Sequence, residues 1–567
     1  MSLYFNGTKS STIYSNNPNV PKMPDPKEYR TNHRNQKWPS MLLPSEMTSD
    51  TNDRILLLYD ASNTYCVFAI NITFSQITTA KVEFYSNTTK VGEENISLTS
   101  GTVYQGYYES DGSYNYILLV IEAPQGKINQ ALLSPKIKIN NVNVNNNFNG
   151  FMLEGSCRFN KLGKLTLSGS SYGSITRQPN LTFFSLLSDK YTASITLANF
   201  FYQCYALLSV PEFNVSDSGP VSTSGLFSNC LSLRAYPPID TSKCTVTASM
   251  FSSCSHLETI LPLDISKSTN TSYMFQNCYA LKHIPPIDTG KSTTFANMFQ
   301  SCYSLKEISH LDTGLGNNLT SVFNGCRKIT TLPMMDTSQV TNMKQFVSGC
   351  NALKTIPLLD TSSVTDMSSM FSGCPQLKTI PAINTSSATN MASMFQSCSA
   401  LEEIPLLDTS SATTVASMFA SCSSLRTIPA LDISSATNTS LMFSGCYSLD
   451  YIPLLDTSKA INMNNMFANV YSIQVLPALD CSKVTTANNF TNFITNSHAL
   501  VKMNATGMKY AFNLSTAIFM TREEIVNVLN NLGRVTSSTT LTLGSTNLAK
   551  LSAEDKAIAT SKGWTLA

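Results

Sequence analysis

The 567-residue sequence has few charged side chains, few histidines and few tryptophans. Asp, Glu, Lys and Arg make up 13% of the chain, which also has five histidines and two tryptophans; charged residues in an average protein amount to roughly a quarter. The net charge of +2 gives no electrostatic reason to expect nucleic acid as a partner. No apolar run reaches the length of about 18 residues that a membrane-spanning helix needs, so we expect no membrane insertion.

Targeting signals are also missing from the two ends of the sequence. The N-terminal "MSLYFNGTKSSTIYSNNPNVPK" has no charged region followed by an apolar one, as a secretory signal peptide would have. The C-terminal "KGWTLA" carries no anchor signal. We therefore expect that the protein is not exported by the usual route.

The most prominent feature that the sequence does have is a repeat of 24 residues. A cysteine recurs at this spacing, an Asp keeps the same period, and in most units a Pro stands three places before the Asp. With Met-Phe pairs these columns give the consensus C-x-x-L-x-x-I-P-x-L-D-T-S-x-x-T-x-M-x-x-M-F. Ten cysteines form the column: Cys230, Cys254, Cys278, Cys302, Cys326, Cys350, Cys374, Cys398, Cys422 and Cys446. So many columns in one register indicate a repeat architecture.

A repeat of this length predicts a solenoid, because one short unit cannot bury a core but stacked units can share one. We predict a mainly β protein with short helical turns, built as a right-handed solenoid of 24-residue coils. A β-sandwich is predicted before it and a small α/β cap after it. The strand of each coil is expected at residues equivalent to 377–380. Pro381 would end this strand, since proline cannot donate a hydrogen bond to the next coil.

The cysteine column is predicted to be a structural core ladder of reduced thiols. Side chains in register on parallel strands stay about 4.8 Å apart, whereas a disulfide needs Cβ atoms about 3.8 Å apart. A reduced cysteine is a small, buried, apolar side chain. A core rich in thiols suits a protein that folds in a reducing cytoplasm. Disulfides, metal ligands and nucleophiles are the alternatives.

The Asp column suggests either bound cations or caps that accept backbone N–H groups at the start of a turn. Stacked carboxylates repel one another, and a cation would offset that repulsion. Asn384 interrupts the column, however, and Asn caps as well as Asp without supplying charge to a metal. We therefore predict structural caps and no metal site, at Asp336, Asp360, Asn384, Asp408, Asp432 and Asp456.

Motifs of catalysis are missing. The sequence has no C-x-x-C pair, no phosphate-binding glycine loop and no G-x-S-x-G. His256, His283 and His310 stand at different distances from the preceding cysteine, so they do not stack into a metal-ligand set. The adjacent Glu402 and Glu403 would point to opposite faces of a strand rather than form a glycosidase pair. We predict no catalytic residue and no cofactor, with a depolymerase as the minor alternative.

Two columns of the repeat are candidates for binding. A basic stripe would meet an anionic glycan, and tyrosines would stack on sugar rings. A solvated face for the charges and filled corners for the tyrosines are the alternatives. The basic column is interrupted by Glu402 and Asp450. The candidate residues are Lys282, Lys306, Lys354, Lys378, Arg426, Tyr279, Tyr303 and Tyr447.

The composition changes along the chain predict five regions. Residues 1–40 are polar and proline-rich, which is typical of an extended arm, here one that anchors the protein. Residues 41–150 contain short β runs separated by turns and predict the β-sandwich-like domain. Residues 151–200 are expected to form the strands that lead into the solenoid. Residues 201–496 form the solenoid, and residues 497–567 form the α/β cap that covers its open end.

The repeat columns resemble the BspA-like leucine-rich repeats of bacterial, protist and bacteriophage surface proteins. The unit "VTDMSSMFSGCPQLKTIP" looks like a standard member, and the resemblance covers residues 200–496. It implies a leucine-rich-repeat-like solenoid used for adhesion and recognition, without catalysis. The closing "LGSTNLAKLSAEDKAIATSKGWTL" is similar to the end of tail-fibre-type proteins from phages of gut bacteria. "KWPSMLLP", followed by the β-sandwich and the repeats, resembles the front half of the same proteins.

From this resemblance and the reduced cysteines we expect a virion appendage, a phage tail fibre or spike, assembled in the host cytoplasm. Its solenoid would recognise a host-surface glycan or protein. Its N-terminal region would bind other virion proteins of the tail, collar or baseplate, and the chain would form a homo-oligomer without binding nucleic acid. A cell-surface adhesin of a bacterium or protist and an intracellular protein-binding scaffold are the alternatives.

Overall fold

The computed structural model divides the chain into two compact units, Met1–Leu281 and Lys282–Ala567. The structure describes residues 3–5, 8–10, 53–60, 65–86, 89–109, 113, 116–124, 128–132, 137–139, 142–144, 152–159, 164–165, 181, 183–188, 195–210, 213–215, 220–236, 238–308 and 310–567. Of the predicted arm over residues 1–40, only two short strands fall within these ranges, and the rest of the arm lies outside the described residues.

The first unit consists mainly of β-strands and of the first repeat coils. Short turn-rich sequences separate apolar runs here, and each run forms a strand. The strands are β1 (Leu3–Phe5), β2 (Thr8–Ser10), β3 (Asp53–Asp60), β4 (Tyr65–Phe74), β5 (Thr79–Ser86), β6 (Thr89–Asn95), β7 (Val103–Glu109), β8 (Tyr116–Ala123), β9 (Ile128–Leu132), β10 (Ile137–Ile139), β11 (Val142–Val144), β12 (Met152–Phe159), β13 (Lys164–Leu165), β14 (Phe183–Ser188), β15 (Ile195–Thr196), β16 (Phe213–Val215) and β17 (Pro220–Ser222).

Two larger sheets of the first unit agree with the predicted β-sandwich. One has the strand order β16-β14-β12-β3-β8-β5-β6 and the other the order β13-β9-β4-β7. The rings of Phe84 on β5 and Tyr108 on β7 lie 5.7 Å apart, so side chains of the two sheets meet. Pairing is antiparallel from β6 to β12 and parallel from β12 through β14 to β16. The change to parallel pairing occurs where the strands leading into the solenoid were predicted.

Within each unit the coils stack at a period of 24 residues, and the prediction of a β-rich solenoid of repeats is confirmed. In the first unit Phe227 and Phe251 stack with ring centroids 5.6 Å apart. In the second unit Phe395 stacks 5.5 Å from Phe371 and 5.7 Å from Phe419. Each set of coils, taken by itself, therefore has stacked phenylalanines in its core. The right-handedness of the coils stays a prediction.

The backbone hydrogen bonds between coils come mainly from the Met-Phe segment, and the strand expected over residues 377–380 is wrong. Ser369 and Gly373 have positive φ angles of 55° and 70°, which make tight turns. Because of these turns, every second N–H group of the segment donates to a carbonyl of the next coil. The N–H groups between them donate to carbonyls of their own coil. The N–H groups of Met367, Ser369, Phe371 and Gly373 donate to the carbonyls of Asn390, Ala392, Met394 and Gln396, respectively. Residues 377–380 form no regular strand. Their equivalents in other coils contribute isolated bridges, except at the end of the coils, where the strand Val475–Asp480 overlaps them.

Each ladder cysteine is buried, and none of them forms a disulfide with another described residue. The Sγ of Cys398 lies 3.0 Å from the Phe371 carbonyl of the preceding coil, and Cys422 contacts the Phe395 carbonyl at the same distance. The thiol is therefore a weak hydrogen-bond donor between coils as well as a small apolar side chain. Burial raises the pKa of the Cys398 thiol to about 12, which makes it a poor nucleophile at neutral pH.

A buried threonine column, which the sequence analysis did not assign, also joins successive coils. The residue after each cap position is usually threonine, and its side chain is buried. Thr361 Oγ1 donates to the Asn384 carbonyl at 2.6 Å, and Thr385 Oγ1 donates to the Asp408 carbonyl at 2.8 Å. The threonine of D-T-S therefore forms a contact between coils.

After its coils, the second unit ends in short strands and helices. These elements are β18 (Val475–Asp480), a 3-10 helix (Ala487–Asn489), β19 (Lys502–Thr506), β20 (Phe512–Asn513), α1 (Arg522–Asn531), β21 (Thr539–Thr542), α2 (Gly544–Leu548), α3 (Ala553–Thr560) and β22 (Trp564–Leu566). Strands β20, β21 and β22 pair in parallel. The predicted small α/β cap is confirmed.

Candidate binding surface

The basic column forms a registered row of exposed side chains on the second unit. Lys306, Lys354, Lys378 and Arg426 are all exposed, as is Lys282. Successive members are held by backbone bonds between coils, such as the N–H of Lys306 donating to the Lys282 carbonyl at 3.3 Å. The candidate residues of this column therefore share one face.

The positive charge of this column is concentrated near its start. Lys378 pairs with Glu402 of the next coil at 3.2 Å, and Asp450 also interrupts the column. Lysines at 282, 306 and 354 have no acidic residue of their own column between them. An anionic ligand would therefore be attracted most strongly to the first coils of the second unit.

A shallow cleft of about 400 Å³ opens beside Lys306. It is lined by Lys306, Glu307, Lys328, Thr330, Thr331 and Ala352. Thr330 occupies the position that a lysine fills in the coils before and after it, and its short side chain leaves space between longer neighbours. The cleft therefore combines two cationic side chains with hydroxyl groups and one carboxylate.

The aromatic candidates occupy a second column, three positions before the basic one. Tyr279, in the first unit, is 41% exposed, and Tyr447, in the second, is 48% exposed. Tyr303 is partly exposed, and the Arg327 guanidinium lies 4.2 Å from the centre of its ring. Such a cation–π contact holds an aromatic face and a positive charge together.

Tyr447 belongs to a larger aromatic group that the sequence analysis missed. Its ring stacks on Tyr471 at 5.0 Å with the two planes 8° apart, and Tyr471 lies 5.6 Å from His498. Tyr471 keeps the 24-residue spacing from Tyr447, so the repeat register was the signal that would have identified it. His498 follows Tyr471 by 27 residues instead of 24, so the repeat period did not identify it.

At the predicted cap positions, the side chain accepts a hydrogen bond from the backbone N–H group two residues further on. For Asp408 and Asn384 the acceptor is the side-chain Oδ1, at 3.0 Å from the serine nitrogen in both cases. The hydroxyl and N–H groups of Ser410 hold the pKa of Asp408 below its ordinary value. The same N–H contact occurs at Asp336, Asp360, Asp432 and Asp456.

An exposed apolar column is the other feature that the sequence analysis missed. Met334, Leu358, Leu406 and Leu454 are 73%, 67%, 73% and 71% exposed. Each stands two places before a cap position, in the motif P-x-L-D or its variant P-M-M-D. An exposed apolar residue recurring at the repeat period indicates a contact surface rather than scattered surface apolar residues.

Within the described part of the chain, no group of three His, Cys, Asp or Glu side chains is placed to hold a metal ion. None of the helices that the structure describes has both the length and the apolar character needed to cross a bilayer.

Several solved structures are similar to this chain at low identity. The Toll–Spätzle complex of Drosophila matches at 12% identity over 73% of this chain and 68% of that chain, with a TM-score of 0.21. The plant peptide hormone receptor RGFR1 in complex with RGF2 matches at 12% identity over 69% and 67%, with a TM-score of 0.20. The TLR13–ssRNA13 complex matches at 12% identity over 67% and 70%, with a TM-score of 0.16. No curated protein matches the sequence.

The repeats themselves match a protein family. The matched segments are residues 221–333, 317–427, 341–451 and 389–504. Together they span residues 221–504, which is 284 of the 567 residues and therefore half of the chain. The chain belongs to the family described as Mycoplasma protein of unknown function, DUF285.

Proposed function

We propose that the protein is a non-enzymatic recognition component of a virion, a phage tail fibre or spike, whose repeat coils bind a host-surface glycan or protein. The observation that carries the recognition part of this proposal is the exposed basic column with its cleft beside Lys306. Two lysines and two threonines converge there, and Tyr303 with Arg327 occupies the adjacent column. Cationic and hydroxyl groups bind carboxylates or sulfates, and an exposed aromatic face binds the apolar face of a sugar ring.

The buried thiols support folding in a reducing compartment. The ladder cysteines form no disulfides within the described part of the chain, and the Sγ atoms of most of them contact carbonyl groups of the preceding coil. Virion proteins assemble in the host cytoplasm, where thiols stay reduced. This compartment suits a tail protein better than it suits an exported adhesin.

Ligand binding is tested with the full chain on immobilised acidic and neutral glycans and on whole cells. Lys306→Gln combined with Lys328→Gln should weaken binding about tenfold or more, because two exposed charges contribute about 1 kcal/mol each. Lys459→Gln, at an exposed position of a different column, is the matched control and should bind as the wild type does. Equal binding by all three proteins would overturn the assignment of the cleft.

The virion assignment is tested by locating the protein in cultures that produce it. Mass spectrometry of particles purified on a density gradient should find the chain together with capsid proteins. Recovery only in the cell envelope would replace the proposal with a cell-surface adhesin, and recovery only in the cytosol would replace it with a scaffold.

A further inference from the structure

Four exposed cationic side chains lie on three successive coils of the second unit, and we call them the cation cluster. Lys306 belongs to the first of these coils, Arg327 and Lys328 to the second and Lys354 to the third. Lys306 and Lys328 line the cleft described above, and Arg327 lies over the Tyr303 ring. The coil spacing of about 4.8 Å places the backbones of Lys306 and Lys354 about 10 Å apart. One extended ligand can therefore contact the whole cluster.

The cation cluster has no neutralising partner, in contrast to other cations of the second unit. Lys378 pairs with Glu402 at 3.2 Å, and Lys502 pairs with Glu524 at 3.4 Å. Among the residues that the structure describes, no acidic side chain forms an ion pair with a member of the cluster. Only 13% of the residues in this chain are charged, and like charges placed together repel one another. The concentration of charge does not stabilise the fold, so it points to an anionic ligand.

The carboxylate in the cleft leaves the site positive. Glu307 is the acidic residue among those that line the cleft, and its Oε1 lies 3.8 Å from Nδ1 of His283 on the preceding coil. It therefore forms no ion pair with Lys306 or Lys328, and the two ammonium groups outnumber it. Threonine hydroxyl groups, which both donate and accept hydrogen bonds, occupy the same cleft.

These observations define the ligand more closely than the proposed function does, and the inference rests on that function. We propose that the cation cluster binds a segment of an acidic polysaccharide that carries anionic groups on successive sugars and lies along the stacked coils. One anionic group lies in the cleft, within reach of Lys306 and Lys328, and the next, further along the coils, meets Lys354. A sugar residue of an extended chain is similar in length to the coil spacing, so successive groups reach successive coils.

The residues around the cluster favour a polysaccharide over a nucleic acid or a protein. Single-stranded nucleic acids bind to rows of exposed aromatic faces, whereas the Tyr303 ring beside the cleft is only partly exposed and has Arg327 over it. Interfaces between proteins have an apolar core in which lysine and glutamate are depleted. Of the six residues that line the cleft, only Ala352 is apolar. Ammonium and hydroxyl groups together match the carboxylates and hydroxyls of acidic sugars.

The acidic residues of the basic column limit the length of the bound segment. Beyond Lys354 the next cation of the column is Lys378, which is already paired with Glu402. An anionic chain that continued along the column would next meet this carboxylate and be repelled. We therefore expect three sugars, one for each coil of the cluster, to fill the site.

The ligand class is tested by calorimetric titration of the full chain with oligogalacturonates, which carry one carboxylate per sugar. The trimer should bind at least about tenfold more tightly than the monomer and than the methyl-esterified trimer, because it forms two or more additional ion pairs. The hexamer should gain no more than about fivefold over the trimer, mostly from its larger number of binding registers. Equal affinity for the acidic and esterified trimers, or for trimer and monomer, would overturn the proposal.

Lys354 tests the orientation of the ligand along the coils. Lys354→Gln should weaken trimer binding about threefold to fivefold and lower the salt dependence of the logarithm of the affinity by about one charge. It should leave binding of the monomer unchanged, because the monomer occupies the cleft alone. Lys344→Gln, at an exposed position outside the cluster, is the matched control and should affect neither ligand. Trimer binding by Lys354→Gln equal to that of the wild type would contradict the extended arrangement.

Two further probes test the choice of a polysaccharide. A blocked triglutamate and a 5′-phosphorylated thymidine trinucleotide should each bind at least about threefold more weakly than the galacturonate trimer. Equal or tighter binding of either would overturn the assignment to a polysaccharide.

Failure of this inference differs from failure of the proposed function. If Lys306→Gln/Lys328→Gln reduces binding to cells but the galacturonate trimer binds no better than the monomer, the recognition site stands and the polyanionic ligand is wrong. If that double variant binds both cells and the trimer as the wild type does, both proposals are wrong.

Discussion

Within the second unit, the repeat coils and the terminal cap achieve stability in different ways. In the coils one contact recurs many times: Cys398 to the Phe371 carbonyl is repeated by Cys422 and by Cys446. In the cap each contact occurs once. Arg522 makes a bidentate pair with Asp555 at 2.7 and 2.8 Å, and Asp555 also forms a capping box with Ser552.

This difference indicates that the coils resist change by redundancy, whereas the cap depends on individual contacts. A repeat array has nearest-neighbour energetics, so one weakened coil affects mainly the coils beside it. The chemistry differs as well, because the last cysteine of the chain is Cys481 and the cap contains none. Ser497 Oγ contacts the Phe467 carbonyl at 3.4 Å, so a hydroxyl replaces the thiol as donor at the end of the column.

The largest expected effect is alkaline unfolding of the coils but not of the cap. Burial raises the pKa of Cys398 from 9.0 to about 12, so the thiol stabilises the fold fully below pH 9. That contribution is lost as the pH rises towards 12, because the unfolded chain ionises first. Each such thiol lowers the free energy of unfolding by about 1.4 kcal/mol per pH unit in this window. Proteolysis with mass spectrometry at pH 7.5 and 10.5 should show new cleavage in the coils.

The helices α1 and α3 of the cap serve as the internal control for this measurement. They should be cleaved equally slowly at both pH values, apart from a correction for protease activity made with an unfolded substrate. Equal acceleration in cap and coils would contradict the role given to the thiols.

Matched aromatic truncations give the next largest effect. Phe395→Ala removes a ring stacked on Phe371 and Phe419, and Trp564→Ala removes a ring that packs on Phe512 and donates Nε1–H to the Gly533 carbonyl. Each should cost about 3–5 kcal/mol. Hydrogen exchange should show Phe395→Ala loosening coils on both sides of the change. Trp564→Ala should loosen the cap and the last coils only.

The exposed Phe519→Ala, at a position 63% exposed, is the control for both variants and should leave exchange unchanged. If Phe395→Ala unfolds the whole second unit at once, the coils do not behave as a repeat array.

The smallest expected effect is at a single cap. Asn384→Ala should cost about 1 kcal/mol, the usual value of such a side-chain contact. Asn384→Asp should be neutral at pH 7, because Asp caps the other coils in the same way. At a pH below 3.8, the ordinary pKa of Asp, Asn384→Asp should be less stable than the wild type. A cap carboxylate has a lowered pKa in the folded chain, so its protonation removes a charge that stabilises the fold. Urea unfolding of both variants and the wild type at pH 7 and pH 3 measures these differences in stability. If Asn384→Ala is as stable as the wild type, Asn384 does not stabilise the fold as a cap.

Much of the coil could be predicted because each position recurs with the same residue. Asn384 alone distinguished a cap from a cation ligand, and the 24-residue cysteine spacing predicted a reduced, buried ladder. The strand over residues 377–380 was predicted wrongly because an apolar run with a following proline looks like a strand. Instead, turns with positive φ at Ser369 and Gly373 orient the N–H groups that bond to the next coil. Nothing in the local composition distinguishes these turns from other loop residues.

The candidate binding surface was only partly predictable, since the sequence shows which residues are chemically capable of binding but not which of them are exposed together. Lys306 and Tyr303 were identified from their columns. The cleft depends on the short side chain of Thr330 between lysines, and the stacking of Tyr471 on Tyr447 depends on the coil spacing. Leu406 and its equivalents were overlooked because leucine in an apolar repeat is expected in the core.

The sequence by itself determined the repeat period, the residues that fill the core, and the caps, because a short unit must place identical side chains at identical positions to share a hydrophobic interior. Only the tertiary structure decided which backbone groups join the coils and which columns reach the solvent. Those outcomes depend on the φ and ψ angles of the turns and on the direction of each side chain, which a one-dimensional pattern does not fix.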